Sequence, residues 1–286
     1  MNAKKWTMKN EKWKMIKYCK SKNFFEKTQF NWKIFLYFFL LTPLFALNVS
    51  VTILPQKGVV KAIGGDKVNV NVMVPPGNSP ATYAPNFKQL KKLKNSDIYF
   101  TIGVPFDKKY LLKIKEINPN MKTVYFGNLI KTTNNPHIWL SPALLQLEAK
   151  TVLDTLIKKD PKNKTFYLNN YKKYIKTLTK LEVKGFENIS QKAFITFHPS
   201  FYYFAKDFHI NQIAIQKEGK TPSFAYLAKI IKLAKANGVK TVIISPEFPT
   251  KYAKIVAAKI DAKVVVISPL NEKPEITINK LIEALK

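Results

Sequence analysis

From Leu47 onward, runs of β-branched residues alternate with segments in which apolar residues recur every three or four positions. The first pattern predicts buried strands and the second predicts amphipathic helices. In the first half of the chain, strands are predicted at 49–54, 68–74, 97–103 and 122–127. Helical segments separate these strands, and one more helix is predicted from Pro142 to about Lys159. Strands and helices that alternate in this way predict a doubly wound α/β lobe with a largely parallel sheet.

A single long helix is predicted next, between Lys162 and Glu187. Its apolar and aromatic side chains form one stripe at three- and four-residue steps, at Tyr167, Tyr171, Tyr174, Ile175, Leu178 and Leu181. The alternation then restarts, with strands predicted at 193–197, 212–215, 239–245 and 263–268. The sequence therefore predicts two doubly wound parallel-sheet lobes, at 47–160 and 191–286. One long backbone helix, at 161–190, joins the lobes.

The first 46 residues have the pattern of an export signal. Ten lysines and two acids occupy the first 33 positions, and an uncharged apolar run from Ile34 to Ala46 follows directly. A basic leader, a short apolar stretch and a small residue at its end are the parts of a secretory signal, and this run is short for a helix that must cross about 30 Å of hydrocarbon. We expect export with cleavage after Ala46. An uncleaved membrane anchor is the alternative because the leader is long, although a start at Met15 would shorten it.

Cysteine content and charge narrow the range of functions. The one cysteine, Cys19, lies in the leader, so the rest of the chain offers no disulfide, thiolate metal site or cysteine nucleophile. The formal charge is +30, and all 48 basic residues are lysines. Base-specific recognition of DNA depends on the bidentate guanidinium of arginine. The charge therefore does not indicate a specific nucleic-acid partner.

Side chains that can carry chemistry follow several predicted strands. In open parallel sheets, ligands bind beyond the carboxyl ends of the strands. Two of the three histidines stand at such places, His137 after the fourth strand and His198 after the fifth. Other residues near strand ends that could line a cleft are Ala81, Tyr83, Trp139, Glu247 and Ser268. A cleft with one histidine from each lobe suits a metal or an anion, whereas His209 precedes a strand and is expected at the surface.

In a series of motifs, the chain resembles the periplasmic solute-binding proteins of zinc- and manganese-type ABC importers. These motifs include VVKAIGGDKVNVNVMVPPG, SPATYAP, DIYFTIG, NPHIWLSP, FITFHPSFYYFAKDF, EGKTPS and GVKTVIISPEF. They occur in the expected order, and the resemblance covers essentially all of 48–286. It implies two α/β lobes joined by a rigid helix, a metal ion held in the cleft, and delivery of that ion to an ABC permease in the inner membrane.

The resemblance transfers to the metal site only in part. His137, in NPHIW, and His198, in FHPS, match two metal-binding histidines of the family. Ala81 stands at the place of a further histidine, and Ser268 stands at the place of a carboxylate. Structural zinc sites usually have four ligands drawn from Cys, His and carboxylates, and neither alanine nor serine is among them. We therefore expect metal binding that is weaker than in the family, or altered.

The expected solute is a divalent metal ion, zinc first and manganese second, with no organic cofactor. Two imidazoles leave two coordination positions for water, solute or other side chains such as Glu247 or Tyr83. The alternative is that the same scaffold binds a metal chelate or a non-metal anionic solute, which the many lysines would favour. We expect the ABC permease as the protein partner and a monomeric chain.

An enzyme and a polyanion binder are the remaining alternatives. An enzyme could use His137 and His198 as acid–base groups or metal ligands. No nucleophile with its base, no glycine-rich phosphate loop and no carboxylate pair accompanies them in the sequence. Lysine clusters attract phosphates without sequence specificity, which predicts a side effect rather than a function. The sequence therefore favours binding over catalysis.

Overall fold

The computed structural model of the chain describes residues 46–130, 135–216 and 221–286. The predicted leader at 1–46, with its cleavage, anchoring and alternative start, lies outside these ranges except for its last residue. Within the described ranges, no helix combines the length and apolar character needed to cross a bilayer.

The first sheet has four parallel strands in the order β2-β1-β3-β4. The strands are β1 Leu47–Val51, β2 Val68–Val72, β3 Ile98–Thr101 and β4 Lys122–Tyr125. The connecting helices are α1 Leu54–Gly64, α2 Phe87–Leu93, α3 Pro105–Ile117 and α4 Pro142–Lys159. Every residue of β3 is buried, as expected for a central strand of a parallel sheet that helices cover on both faces.

The first strand is shorter than predicted, since β1 ends at Val51 and not at residue 54. The side-chain oxygen of Gln56 accepts hydrogen bonds from the backbone N–H groups of Thr52 and Ile53, at 2.9 and 3.0 Å. These two bonds turn the chain out of the sheet and into α1, because they satisfy donors that would otherwise be free at the start of the helix.

The second sheet repeats the plan of the first, in the order β6-β5-β7-β8 and again with all strands parallel. Its strands are β5 Ala193–Thr196, β6 Asn211–Ala214, β7 Thr241–Ile244 and β8 Lys263–Val266. The helices of this half are α6 Tyr202–Asp207, α7 Phe224–Ala236, α8 Lys251–Ile260 and α9 Pro274–Ala284. Two parallel four-stranded sheets with helices between their strands confirm the predicted fold class.

The long predicted helix is α5, Lys164–Asn188. Its predicted apolar stripe packs against the core: Tyr167, Tyr174 and Leu178 are buried, and the other members are partly buried. A side chain at Gly185 would place its Cβ 2.2 Å from the ring of Phe208. Glycine therefore allows the end of α5 to lie directly against an aromatic side chain of the second half of the chain.

The last helix, α9, ties the second half of the chain back to the first. Ile278, Leu281 and Ile282 belong to the same buried cluster as the apolar residues of the first sheet, and α9 contacts both α5 and α1. The Lys184 side chain on α5 also pairs with Glu283 on α9 at 2.7 Å. Residues 46–286 accordingly form one compact unit, while the lobe boundaries at 160/161 and 190/191 stay predictions.

Candidate metal-binding site

A pocket of about 270 Å³ is formed by segments of both halves of the chain. Its walls come from the loops that follow β2, β3 and β4 in the first sheet and β5, β7 and β8 in the second. This is the carboxyl edge of both sheets, where parallel α/β folds bind their ligands. A larger and more open groove of about 1040 Å³ lies beside α3 and α4, but no histidine is among the described residues that line it.

The pocket brings together the two predicted histidines. The ring centroids of His137 and His198 are 5.2 Å apart, with the rings inclined at 66°. The Nδ1 atom of His137 lies 2.7 Å from Oδ1 of Asn135, and Nδ1 of His198 lies 2.7 Å from Oε1 of Gln216. An amide oxygen can only accept, so each Nδ1 carries the proton and each Nε2 presents its lone pair. This is the arrangement that orients histidines toward metals in proteins.

Both imidazoles are held in the neutral form. Burial and, to a smaller extent, the positive charge of nearby His198 lower the pKa of His137 to about 3. Burial also lowers the pKa of His198, against the opposing effect of its hydrogen bond to Gln216. Metal binding requires a deprotonated nitrogen. Near neutral pH the site therefore offers two imidazoles ready to bind a cation.

The second half of the chain holds the loop that carries His137. The Tyr203 hydroxyl, on α6, donates to the backbone oxygen of Asn135 at 3.1 Å. Trp139 is buried, lines the pocket and donates from Nε1 to the Pro269 oxygen at 2.8 Å. Its ring centroid is 5.2 Å from that of His137. These contacts fix the position of His137 relative to the second sheet.

His198 follows β5 directly and is fixed from both sides. The Thr196 hydroxyl donates to the backbone oxygen of His198 at 2.8 Å. The imidazole stacks on the ring of Phe248, with centroids 4.7 Å apart and the rings inclined at 20°. Phe248 belongs to the loop after β7, so this loop and His198 are mechanically linked.

Three other predicted residues lie in different surroundings. Ala81 is exposed and lines the pocket, at the place where the resemblance puts a histidine. Tyr83 is not among the described residues that line the pocket. Its hydroxyl donates instead to Oε1 of Gln89 at 2.6 Å, and its ring stacks near Phe106. Ser268 is also not among the described residues that line the pocket, and its hydroxyl accepts a hydrogen bond from the backbone N–H of Leu270 at 3.0 Å.

Glu247 is the predicted residue with the most unusual surroundings. It lines the pocket in the loop after β7, and its Oε1 accepts a hydrogen bond from the hydroxyl of Ser268. Its Oε2 is buried without a hydrogen-bond partner among the described residues. Across those same residues, no three His, Cys, Asp or Glu side chains are close enough together to hold a metal ion. The two imidazoles are thus paired, and the carboxylate lies in the same pocket but is turned toward Ser268.

Sequence reasoning missed Asn135, Gln216 and Lys108. Asn135 could have been recognised from the sequence, because an asparagine side chain often accepts a hydrogen bond from the backbone N–H two residues further along. Here Oδ1 of Asn135 accepts from the backbone N–H of His137 at 3.0 Å. Gln216 had no such signal, since the parallel pairing of β5 with β6 that places it beside His198 is a property of the whole fold. Lys108 lines the pocket from α3, and nothing in the sequence distinguishes it from the other lysines.

The chain is similar to known metal-uptake proteins. A family model for ZnuA, described as the periplasmic component A of the zinc-uptake complex, matches residues 49–285. The high-affinity zinc uptake system protein ZnuA of Bacillus subtilis (strain 168) is 29% identical over 251 residues, which cover 78% of each chain. The zinc-binding lipoprotein AdcA of Streptococcus pneumoniae is 26% identical over 256 residues. That match covers 80% of this chain but 51% of AdcA, so the chain spans about half the length of this relative.

Solved structures agree with the sequence matches. A crystal structure of ZnuA is 35% identical, with a TM-score of 0.78, over 84% of this chain and 100% of that one. The predicted class of function, the solute-binding component of a metal-ion importer, is confirmed by these matches, whereas the alternative solutes, a metal chelate or a non-metal anion, gain no support. The chain therefore belongs to the family of periplasmic zinc-uptake components, the solute-binding proteins of metal-ion ABC importers.

Proposed function

We propose that this chain binds one divalent metal ion through His137 and His198 and delivers it to an ABC permease. One observation carries the proposal: two neutral imidazoles, one after a strand of each sheet, face the same pocket with each Nε2 free of hydrogen-bond partners among the described residues. Such a pair is suited to hold a cation between the two halves of the chain. The site is proposed for binding and not for catalysis.

Zinc is the first candidate for the ion and manganese the second. Imidazole nitrogen suits zinc, whereas manganese favours carboxylate, carbonyl and water oxygens. The names of the relatives from Bacillus subtilis and Streptococcus pneumoniae refer to zinc. We further propose that the chain works in the periplasm as a monomer, after export by its leader or anchored by it, beside a permease in the inner membrane.

Metal content and affinity of the purified protein test this function. We expect one zinc ion per chain by elemental analysis, and a thermal-shift screen that ranks zinc above manganese, nickel and iron, with chelated metals and anions inactive. His137→Ala and His198→Ala should each weaken zinc binding by at least about 10-fold, the lower end of what losing even an outer-shell partner of a metal costs.

His209→Asn is the matched control. His209 is exposed, and its φ of 54° lies in a region that asparagine tolerates. This variant should bind zinc as the unmodified chain does. Stoichiometric zinc that survives replacement of both His137 and His198 would contradict the proposed site. A larger thermal shift with a chelated metal or an anion than with zinc would contradict the proposed solute.

A further inference from the structure

The two imidazoles leave a charge problem at the proposed site. An imidazole binds a metal ion in its uncharged form, and Lys108 adds a positive group to the pocket wall. Neither Ala81 nor Ser268, at the places where the resemblance puts a histidine and a carboxylate, supplies a negative charge. A divalent cation removed from water needs opposite charge and ligands that replace its hydration. Some other side chain in the pocket must meet this need if the chain is to bind metal tightly.

Glu247 is the carboxylate among the described residues that line the pocket. One of its oxygens, Oε1, is occupied by the hydroxyl of Ser268. The other, Oε2, is buried and has no partner among the described residues. A buried polar atom without a partner is destabilising, so a cation that reached Oε2 would remove an existing cost as well as gain a ligand.

Hydrogen bonds and one ring contact hold the loop that carries Glu247 in the pocket wall. Ser268 accepts from the backbone N–H of Leu270 at 3.0 Å, which leaves the hydroxyl hydrogen for Glu247. At the start of the same loop, the Ser245 hydroxyl donates to the Ile267 oxygen at 3.1 Å. Next to Glu247, Phe248 stacks on His198. The loop is therefore attached both to the strand that ends at Ser268 and to one of the imidazoles.

We propose that Glu247 is a third ligand of the metal ion, through the oxygen that Ser268 leaves free, and that Ser268 is a positioning residue for it. The inference rests on the proposed function. The anionic ligand of this chain is then Glu247, in the loop after β7, and not the residue at position 268, after β8. Ligating carboxylates are themselves hydrogen-bonded in metal sites, and Ser268 meets that requirement. The three side chains are not gathered around one point in this structure, so Glu247 turns about its side-chain bonds when the ion binds.

Zinc affinity of the full chain, measured by competition with a chromophoric chelator, tests the inference. Glu247→Gln keeps the size and removes the charge, and it should weaken zinc binding by at least about 10-fold. Ser268→Ala keeps the carboxylate but removes its hydrogen bond, and about a 10-fold loss is expected for an outer-shell partner. The matched control is Glu116→Gln, an exposed acid on α3 outside the pocket, which removes the same charge and should leave the affinity unchanged.

Cobalt(II) bound in place of zinc gives a readout that a purely structural role would not change. Its visible spectrum depends on the ligand set, so it should differ in Glu247→Gln and persist in Ser268→Ala. Unchanged zinc affinity in Glu247→Gln, or weaker affinity with an unchanged cobalt spectrum, would overturn the ligand role. Unchanged affinity in Ser268→Ala would overturn the positioning role.

The same set of variants distinguishes a failure of this inference from a failure of the proposed function. If the unmodified chain binds no zinc, the proposed function fails and the inference fails with it. If the unmodified chain binds zinc, His137→Ala abolishes binding and Glu247→Gln does not weaken it, the function stands and the inference alone is wrong. The unfolding midpoint of each metal-free variant, compared with that of the unmodified chain, shows that the variants fold.

Discussion

Each sheet has a carboxylate shortly after its third strand in chain order, and the two carboxylates are satisfied to very different degrees. In the first half this residue is Asp107, which is buried, with 3% of its surface exposed. Two backbone N–H groups and two hydroxyls donate to it at 2.5 to 3.2 Å, those of Ile102, Gly103, Thr52 and Tyr99. Both oxygens of Asp107 are therefore fully engaged by the fold.

In the second half the corresponding residue is Glu247. It has one donor, the Ser268 hydroxyl, and its second oxygen is buried without a partner among the described residues. The strand order is the same in both sheets, so the contrast does not come from topology. A carboxylate with every oxygen hydrogen-bonded stabilises the fold, whereas a pocket-lining residue with one oxygen unpaired has a lone pair left for a solute. The asymmetry makes Glu247 the carboxylate left for a solute, whereas Asp107 serves the fold of the first half.

The largest expected effect comes from truncating both carboxylates in the same way. Asp107→Ala removes the acceptor of one buried and one partly buried N–H group and of two buried hydroxyls, so it should lower the free energy of unfolding by at least about 3 kcal/mol. For a chain of this size, that lowers the melting temperature by roughly 6–12 °C. Glu247→Ala removes one hydrogen bond and one unsatisfied atom, so the metal-free protein should lose no more than about 1 kcal/mol.

Thermal and urea unfolding of the two metal-free variants measure this difference. Similar losses of stability in both would mean that the free oxygen of Glu247 has a structural role, and would remove the contrast between the two halves. The zinc-induced rise in melting temperature should show the opposite order, with the larger reduction in Glu247→Ala.

The alternation of strands and helices, and the places of both histidines, could be predicted from the sequence because each depends on local pattern. The pairing of Glu247 with Ser268 could not, although both stood near predicted strand ends. Their contact depends on β7 and β8 being neighbours in register, with Ile244 opposite Val266, and strand neighbours are a property of the whole fold. In sequence, Glu247 looks like an acid near the start of a helix. In the structure it lies in a turn before α8, which begins at Lys251.

The return of α9 to the first half of the chain was missed for a similar reason. Its apolar residues, such as Ile278 and Leu281, predict a buried face but do not say which partner covers it. Asp107 also gave no distinctive signal, because its four donors come from segments up to 55 residues away in sequence. Local pattern specifies the elements here, while the degree to which a polar group is satisfied depends on contacts between distant segments.

A third carboxylate, Glu148 on α4, sharpens the comparison because it is fully buried and neither of its oxygens has a partner among the described residues. Burial raises the pKa of Glu148 well above its usual value, so the folded state binds this proton more strongly than the unfolded state does. Its contribution to stability is therefore present at acid pH and is lost as the pH rises above the ordinary glutamate pKa and through the raised one.

Urea unfolding of the metal-free chain as a function of pH measures this contribution. Stability should fall with rising pH by at most about 1.4 kcal/mol per pH unit for one proton, and Glu148→Gln, which cannot ionise, should remove that part of the slope. An identical pH dependence in the variant and the unmodified chain would mean that Glu148 is ionised and that an unidentified group compensates it.

The smallest expected effect is at Glu272, an acid with a partly exposed side chain. Its Oε1 lies 3.1 Å from Nζ of Lys57 on α1, and their side chains are 42% and 31% exposed. Exposed ion pairs contribute about 0–1 kcal/mol, so Glu272→Gln should lower stability by less than about 0.5 kcal/mol and leave zinc affinity unchanged. A loss above about 1 kcal/mol in urea unfolding would contradict this. The attachment of the second half of the chain to α1 would then depend on an ion pair at the surface, and not on the buried packing of α9.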